Sequence, residues 1–110
     1  MLLMVRKEGT AIYGGTSLTE DFEQTFDHAI RVDEITDGMH VSMTITRKDG
    51  STQILRLSLN DDYVLDNVLQ IVLVDVLKQS AGESAMSARL GFAAPRNYKL
   101  VRDNAIKKTA

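Results

Sequence analysis

Residues 39–59, MHVSMTITRKDGSTQILRLSL, constrain the fold more than any other part of the chain. Val41, Met43 and Ile45 alternate with polar neighbours, a period of two that puts the apolar set on one face of an extended strand. Leu55, Leu57 and Leu59 repeat the pattern after Asp49-Gly50, a pair suited to the left-handed backbone of a tight turn. An antiparallel hairpin with one apolar face follows. Whatever else the chain forms must cover that face.

The flanking segments read differently. Ser17 and Glu20 have the spacing of a capping box, and Leu18, Phe22, Phe26 and Ala29 or Ile30 recur at helical intervals, so the pattern predicts a helix over 18–31. Asp37-Gly38 reads as a turn. Asn60 is placed to cap a second helix over 61–79, with Gly82 beyond its end. Leu65, Val68, Leu69, Val72, Val76 and Leu77 form its stripe, with Val64, Ile71 and Val74 off it. A helix apolar nearly all round is either the central core element or a subunit interface.

The two ends predict strands. MLLMVRK and TAIYGG form one pair of short β runs, and AMSARLGF and NYKLVR another, parted by Ala93-Ala94-Pro95, where proline lacks an amide to donate. In the last run Tyr98, Leu100 and Arg102 face one way, Lys99 and Val101 the other. The expectation is an α+β fold in one domain over 1–110, with 16–85 as an insertion-bearing middle.

The length of 110 residues suits one compact domain, and 44% hydrophobic with 25% charged residues is an ordinary globular composition. Cysteine is absent, which excludes disulfides, thiolate ligands and a Cys nucleophile. The opening MLLMV stops at Arg6, and the longest later apolar run is broken by Asp66, Asn67, Gln70 and Asp75, so the expected protein is soluble and cytoplasmic, with no membrane partner. His28 and His40 fall on predicted polar faces, no nucleophile has recognisable partners, and YGGTS lacks the Gly-Lys-Ser/Thr of a P-loop. The acidic residues do not repeat like calcium ligands. No enzyme activity, metal or cofactor is expected. Low aromatic content, 5%, argues against RNA binding by stacked rings, and Tyr13 and Tyr98 read as core or rim residues.

Charge is segregated along the chain. Residues 1–10 carry two basic and one acidic residue, 11–85 five against thirteen, and 86–110 six against one. Two basic ends therefore flank an acidic middle. Read together, the ends resemble a known family. MLLMVRKEGTAIYGG is similar to the first two strands of the CsrA/RsmA family of RNA-binding translational regulators: Met-Leu, further apolar residues, a basic pair at positions 6 and 7, Gly9, then an apolar strand ending at glycine. ARLGFAAPRNYKLVRDNA resembles that family's last two strands, with Arg-apolar-Gly-apolar, Ala-Pro followed by a basic residue, and an arginine entering the tail. The resemblance covers about forty residues, and the predicted 18–31 helix stands where the RsmN/RsmF branch carries one.

The resemblance implies a CsrA-type antiparallel framework, built as an intertwined homodimer whose sheets mix strands of both subunits. Onto it would be inserted the α-helix, the hairpin and the second α-helix. It implies a regulator binding GGA in single-stranded or hairpin-loop RNA of mRNA leaders or small RNAs. Carried over by position, the implied RNA contacts are Met4, Val5, Arg6 and Lys7 with Ala94, Pro95, Arg96, Leu100, Val101 and Arg102. Arg102 matches the family's most informative arginine, whose guanidinium can hold a phosphate or base edge through two parallel bonds. Two rival expectations stand beside it. One is a protein-interaction module, docking a partner through the predicted 61–79 helix after losing RNA binding, and the other is a decoy forming mixed dimers.

Overall fold

The computed structural model describes residues 1–78 and 86–104, and its β-hairpins have replaced the predicted helices. Among the described residues nine strands run in chain order: β1 (Leu2–Lys7), β2 (Ala11–Gly15), β3 (His28–Thr36), β4 (His40–Arg47), β5 (Thr52–Ser58), β6 (Asp62–Leu65), β7 (Leu69–Lys78), β8 (Met86–Ala93) and β9 (Lys99–Arg102). The one helix among the described residues, α1 (Phe22–Thr25), is a single turn. The α+β expectation with two inserted helices is therefore corrected to an all-β fold.

The hairpin predicted over 39–59 is present as β4 and β5, paired antiparallel from His40↔Ser58 to Thr46↔Thr52. Val41, Met43, Ile45, Leu55 and Leu57 are all buried, as the alternation requires. Of the turn pair only Gly50 has a positive φ, 89°, closing the turn with its amide on the Arg47 carbonyl at 2.9 Å. Asp37 and Gly38, at 49° and 73°, make the expected turn between β3 and β4.

The predicted helix over 18–31 fails after one turn because the apolar spacing shifts from helical to alternating. Phe22 packs inward from α1, but Ile30 and Val32 then alternate along β3 with exposed Arg31. Beyond a bulge between Val32 and Glu34, Ile35 returns to the core. The predicted helix over 61–79 is instead a hairpin. Asp66 and Asn67 adopt φ of 49° and 58°, the left-handed pair that mirror-image hairpin turns need, and Asn60, assigned as a helix cap, is itself left-handed at 71°. Ile71, Val72, Val74 and Val76 of β7 favour a strand, where branched side chains pack well and lose less rotamer freedom than in a helix. Gln79, Gly82 and the basic tail 105–110 lie outside the described residues.

The strands form two antiparallel sheets, one ordered β1-β8-β7-β6 and the other β5-β4-β3-β2-β9. Their inner faces meet in one core: Met4, Leu65, Leu69, Ile71, Leu73, Leu90 and Phe92 from the first sheet face Ile12, Ile30, Val32, Met43 and Ile45 from the second. The terminal strands pair inside the single chain, β1 on β8 from Leu2↔Phe92 to Lys7↔Ser87, and β9 on β2 from Ile12↔Arg102 to Gly15↔Lys99. Each sheet stays open. The edges stack in two sets: Gln53 of β5 donates to the Tyr63 hydroxyl of β6 at 3.0 Å on one side, and β1 lies near β9 on the other.

Candidate nucleic-acid interface

The strands β1 and β9 come from opposite ends of the chain and are each the outermost strand of a sheet. At one end of the pair Arg6 Nη2 donates to Asp103 Oδ1 at 2.6 Å, while Asp103 Oδ2 accepts the Ala11 amide at 2.8 Å. One carboxylate just beyond β9 thus fastens β1 to β2. At the other end a cleft of about 440 Å³ is bounded by Met1 and Leu2 on one side and by Ala94, Lys99 and Leu100 on the other. The two strands therefore run alongside in the same direction. Among the described residues each has one edge of N–H and C=O groups without a neighbouring strand, the arrangement by which an edge can be read by an added chain or base.

The implied contact residues are divided between this edge and the core. Met4 and Arg6, each 5% exposed, point inward on alternating positions of β1. Their side chains are committed to the core and to Asp103, and Arg6 Nε is a buried donor without a partner among the described residues. Val5 and Lys7 point outward and are exposed. Ala94, Pro95 and Arg96 are exposed in the loop before β9, Leu100 and Val101 are half-buried, and Arg102 is exposed. Arg102 lies in register with Ile12 and so shares the face turned toward the first sheet, at its open rim. The rim formed by these strands therefore has Val5 and Lys7 on the outer face of the first sheet, Val101 on the outer face of the second, Leu100 and Arg102 on the face between them, and Ala94, Pro95 and Arg96 in the loop before β9. It does not present the side chains of Met4 or Arg6.

Lys7, Arg96, Lys99 and Arg102 are exposed on β1, β9 and the loop before β9; Asp103 serves Arg6 and the Ala11 amide, and Glu8, next to Lys7, accepts the Ile35 amide at 2.8 Å. The acidic middle of the chain lies largely elsewhere, with Asp33, Asp37, Asp49, Asp61 and Asp62 on the β3, β4–β5 and β6 elements. The segregation of charge seen in the sequence becomes a segregation in space. A polyanion approaching the β1/β9 edge meets cations first.

A second polar cluster was missed in the sequence. His28, placed there on a solvated helical face, is 6% exposed on β3, with Nδ1 2.8 Å from the Tyr98 hydroxyl and Nε2 2.8 Å from Asp66 Oδ2. Arg47 grips the same carboxylate through Nε at 2.8 Å and Nη2 at 3.2 Å. Held first by Arg47 and then by His28, Asp66 is lowered to a pKa of about 2. Burial, with Asp27 and Asp66 nearby, pushes the Tyr98 phenol above its ordinary range. The Tyr98 hydroxyl and the Asp66 carboxylate lie on the two different nitrogens of the His28 ring. Both ring nitrogens are engaged. The cluster acts as a clamp from the β6–β7 turn, across the sheets, to Tyr98, the residue before β9.

Gly14 and Gly15 make that clamp possible. A Cβ on Gly14 would strike the Tyr98 phenol, and one on Gly15 would lie 2.9 Å from the Asp27 amide. The Gly-Gly pair is a seat for Tyr98 and for the chain entering β3. No protein-family model, curated protein or solved structure matches this chain. Among the described residues, no helix is long and apolar enough to cross a membrane.

Proposed function

We propose that the protein is an RNA-binding post-transcriptional regulator of the CsrA/RsmA kind, which takes GGA-bearing single-stranded or loop RNA along the β1/β9 edge. One observation carries the reading: two basic strands from opposite ends of the sequence lie side by side, both with open edges and with Lys7, Arg96, Lys99 and Arg102 exposed. These are also the segments that resemble the family. In this reading Lys7, Arg96 and Lys99 neutralise phosphates, while Arg102 supplies a planar fork for a phosphate or base edge. The free main-chain groups of β1 and the loop 94–96 read the bases at close range. Met4 and Arg6 serve it indirectly, by anchoring β1 and fixing its distance from β9.

The test is a titration of the protein against a hairpin with GGA in its loop, beside the same hairpin with the triplet scrambled, at several salt concentrations. The expected result is preference for GGA, with log K falling against log salt by about 3 for four phosphate contacts on a single strand. Arg102→Ala should weaken GGA binding by about 1–3 kcal/mol without changing the fold. Equal affinity for both hairpins, or an unaffected Arg102→Ala, removes the assignment.

A further inference from the structure

Strand β5 ends the second sheet at the edge opposite β9, and its pairing with β4 fixes which of its main-chain groups are in use. The Arg47 amide donates to the Ser51 carbonyl and the Leu59 amide to the Met39 carbonyl, both at 2.8 Å, and between them the register runs Ile45↔Gln53, Met43↔Leu55 and Val41↔Leu57. Odd-numbered residues of β5 therefore turn their N–H and C=O toward β4, and even-numbered ones turn theirs outward. At Ser58 both outward groups are taken: Asp61 Oδ2 accepts its amide at 3.0 Å, and the Asp61 amide donates to its carbonyl at 2.9 Å. At Thr52, Ile54 and Arg56 the outward groups have no neighbouring strand among the described residues. Three donors and three acceptors thus stand two residues apart along one line.

The devices that blunt such an edge are missing. β5 has seven residues, no proline and no register shift against β4, whereas the edge strand β6 has four residues and opens on Asp62. The side chains of Thr52, Ile54 and Arg56 are all exposed, Ile54 by 65%. Arg56 enters no ion pair among the described residues. Across the sheet it faces Ser42, and Glu34, one strand further, accepts from the Thr36 hydroxyl. Behind the edge the Gln53–Tyr63 bond ties the two sheets together, so an added strand extends the second sheet and does not enter the core.

We propose that β5 is a docking edge for an extended peptide, which adds antiparallel along Thr52, Ile54 and Arg56. Each of these residues exchanges two main-chain bonds with the peptide residue opposite it. On the exposed face the partner carries an acidic side chain opposite Arg56 and, two residues later, a branched apolar one opposite Ile54. The site is at the other edge of the sheet from β9 and does not rest on the RNA reading.

The experiment is an NMR titration of the isotope-labelled full chain with the capped peptide Ser-Glu-Thr-Val-Thr-Thr-Ser, beside the same peptide N-methylated at its valine. The expected result is amide shifts centred on residues 52–56, with slowed hydrogen exchange at Ile54 and Arg56. The methylated peptide should bind about tenfold more weakly, having lost one main-chain bond. Arg56→Glu should weaken binding by about threefold or more, and a peptide with lysine in place of its glutamate should restore it, a recovery that a misfolded variant would not give. No shift at millimolar peptide overturns the proposal, as do shifts centred on another strand, equal binding of the methylated peptide, or a loss in Arg56→Glu that the lysine peptide leaves unrelieved. Ile54 and Arg56 amides already protected in the free protein also overturn it, since a second copy would then hold the edge.

Discussion

Single residues carry more of this structure than their sequence context announces. Gly14 is the clearest case, because the space above it belongs to the Tyr98 phenol. Gly14→Ala should cost about 1–3 kcal/mol in urea unfolding, the usual range for forcing extra volume into a filled site. It should cost little in a Tyr98→Ala background, where the collision is gone. Asp66 gives a second expectation. Its carboxyl is lowered from an ordinary 3.8 to about 2 in the folded protein, chiefly by Arg47 and then by His28. The stability it contributes is therefore fully present above about pH 4 and is lost as pH falls through about 2. Asp66→Asn should unfold more easily at neutral pH and lose part of the wild-type decline between those limits, as read from urea midpoints across the acid range. Neither role was legible beforehand. His28 looked solvated only because it was counted on a helix, and nothing local marks Tyr98, 70 residues away, as its partner.

The elements were legible in proportion to how plainly their periodicity was of one kind. The 39–59 hairpin alternates without interruption, and its strands and buried set match the expectation. Segment 61–79 has apolar residues at both odd and even positions, so it fits a period of 3.6 and a period of 2 equally well, and spacing alone could not decide. The arbiters were its branched side chains and Asp66-Asn67, a left-handed turn pair read as mere interruptions of an apolar run. This turn supports a prediction at the element scale. Asn67 sits at φ 58°, which a β-branched residue adopts only at a cost, so Asn67→Val should destabilise the protein by about 1–2 kcal/mol in urea unfolding. An unchanged midpoint would mean that the β6–β7 turn is not held in this conformation. The four terminal strands were anticipated because each is short, apolar and bounded by glycine, proline or charge.

For the whole molecule, the organising fact is that the strands farthest apart in sequence become neighbouring edges. β1 closes on β8 and β9 on β2, so the ends of the chain zip onto the middle and the charge asymmetry of the sequence turns into a basic rim. The resemblance at the ends drew its implied contacts from β1, β9 and the loop before β9. It could not separate Val5 and Lys7 from Met4 and Arg6, because that separation follows from the strand's alternation against its own core. The strands β3, β4 and β5 build most of the second sheet and supply much of its share of the core. The most direct test of this account is an NMR footprint of the isotope-labelled protein with the GGA hairpin. The account predicts amide shifts confined to residues 2–7 and 94–102, with β3, β4 and β5 unmoved. Shifts centred on β3–β5, or none at RNA concentrations that saturate binding, would contradict it.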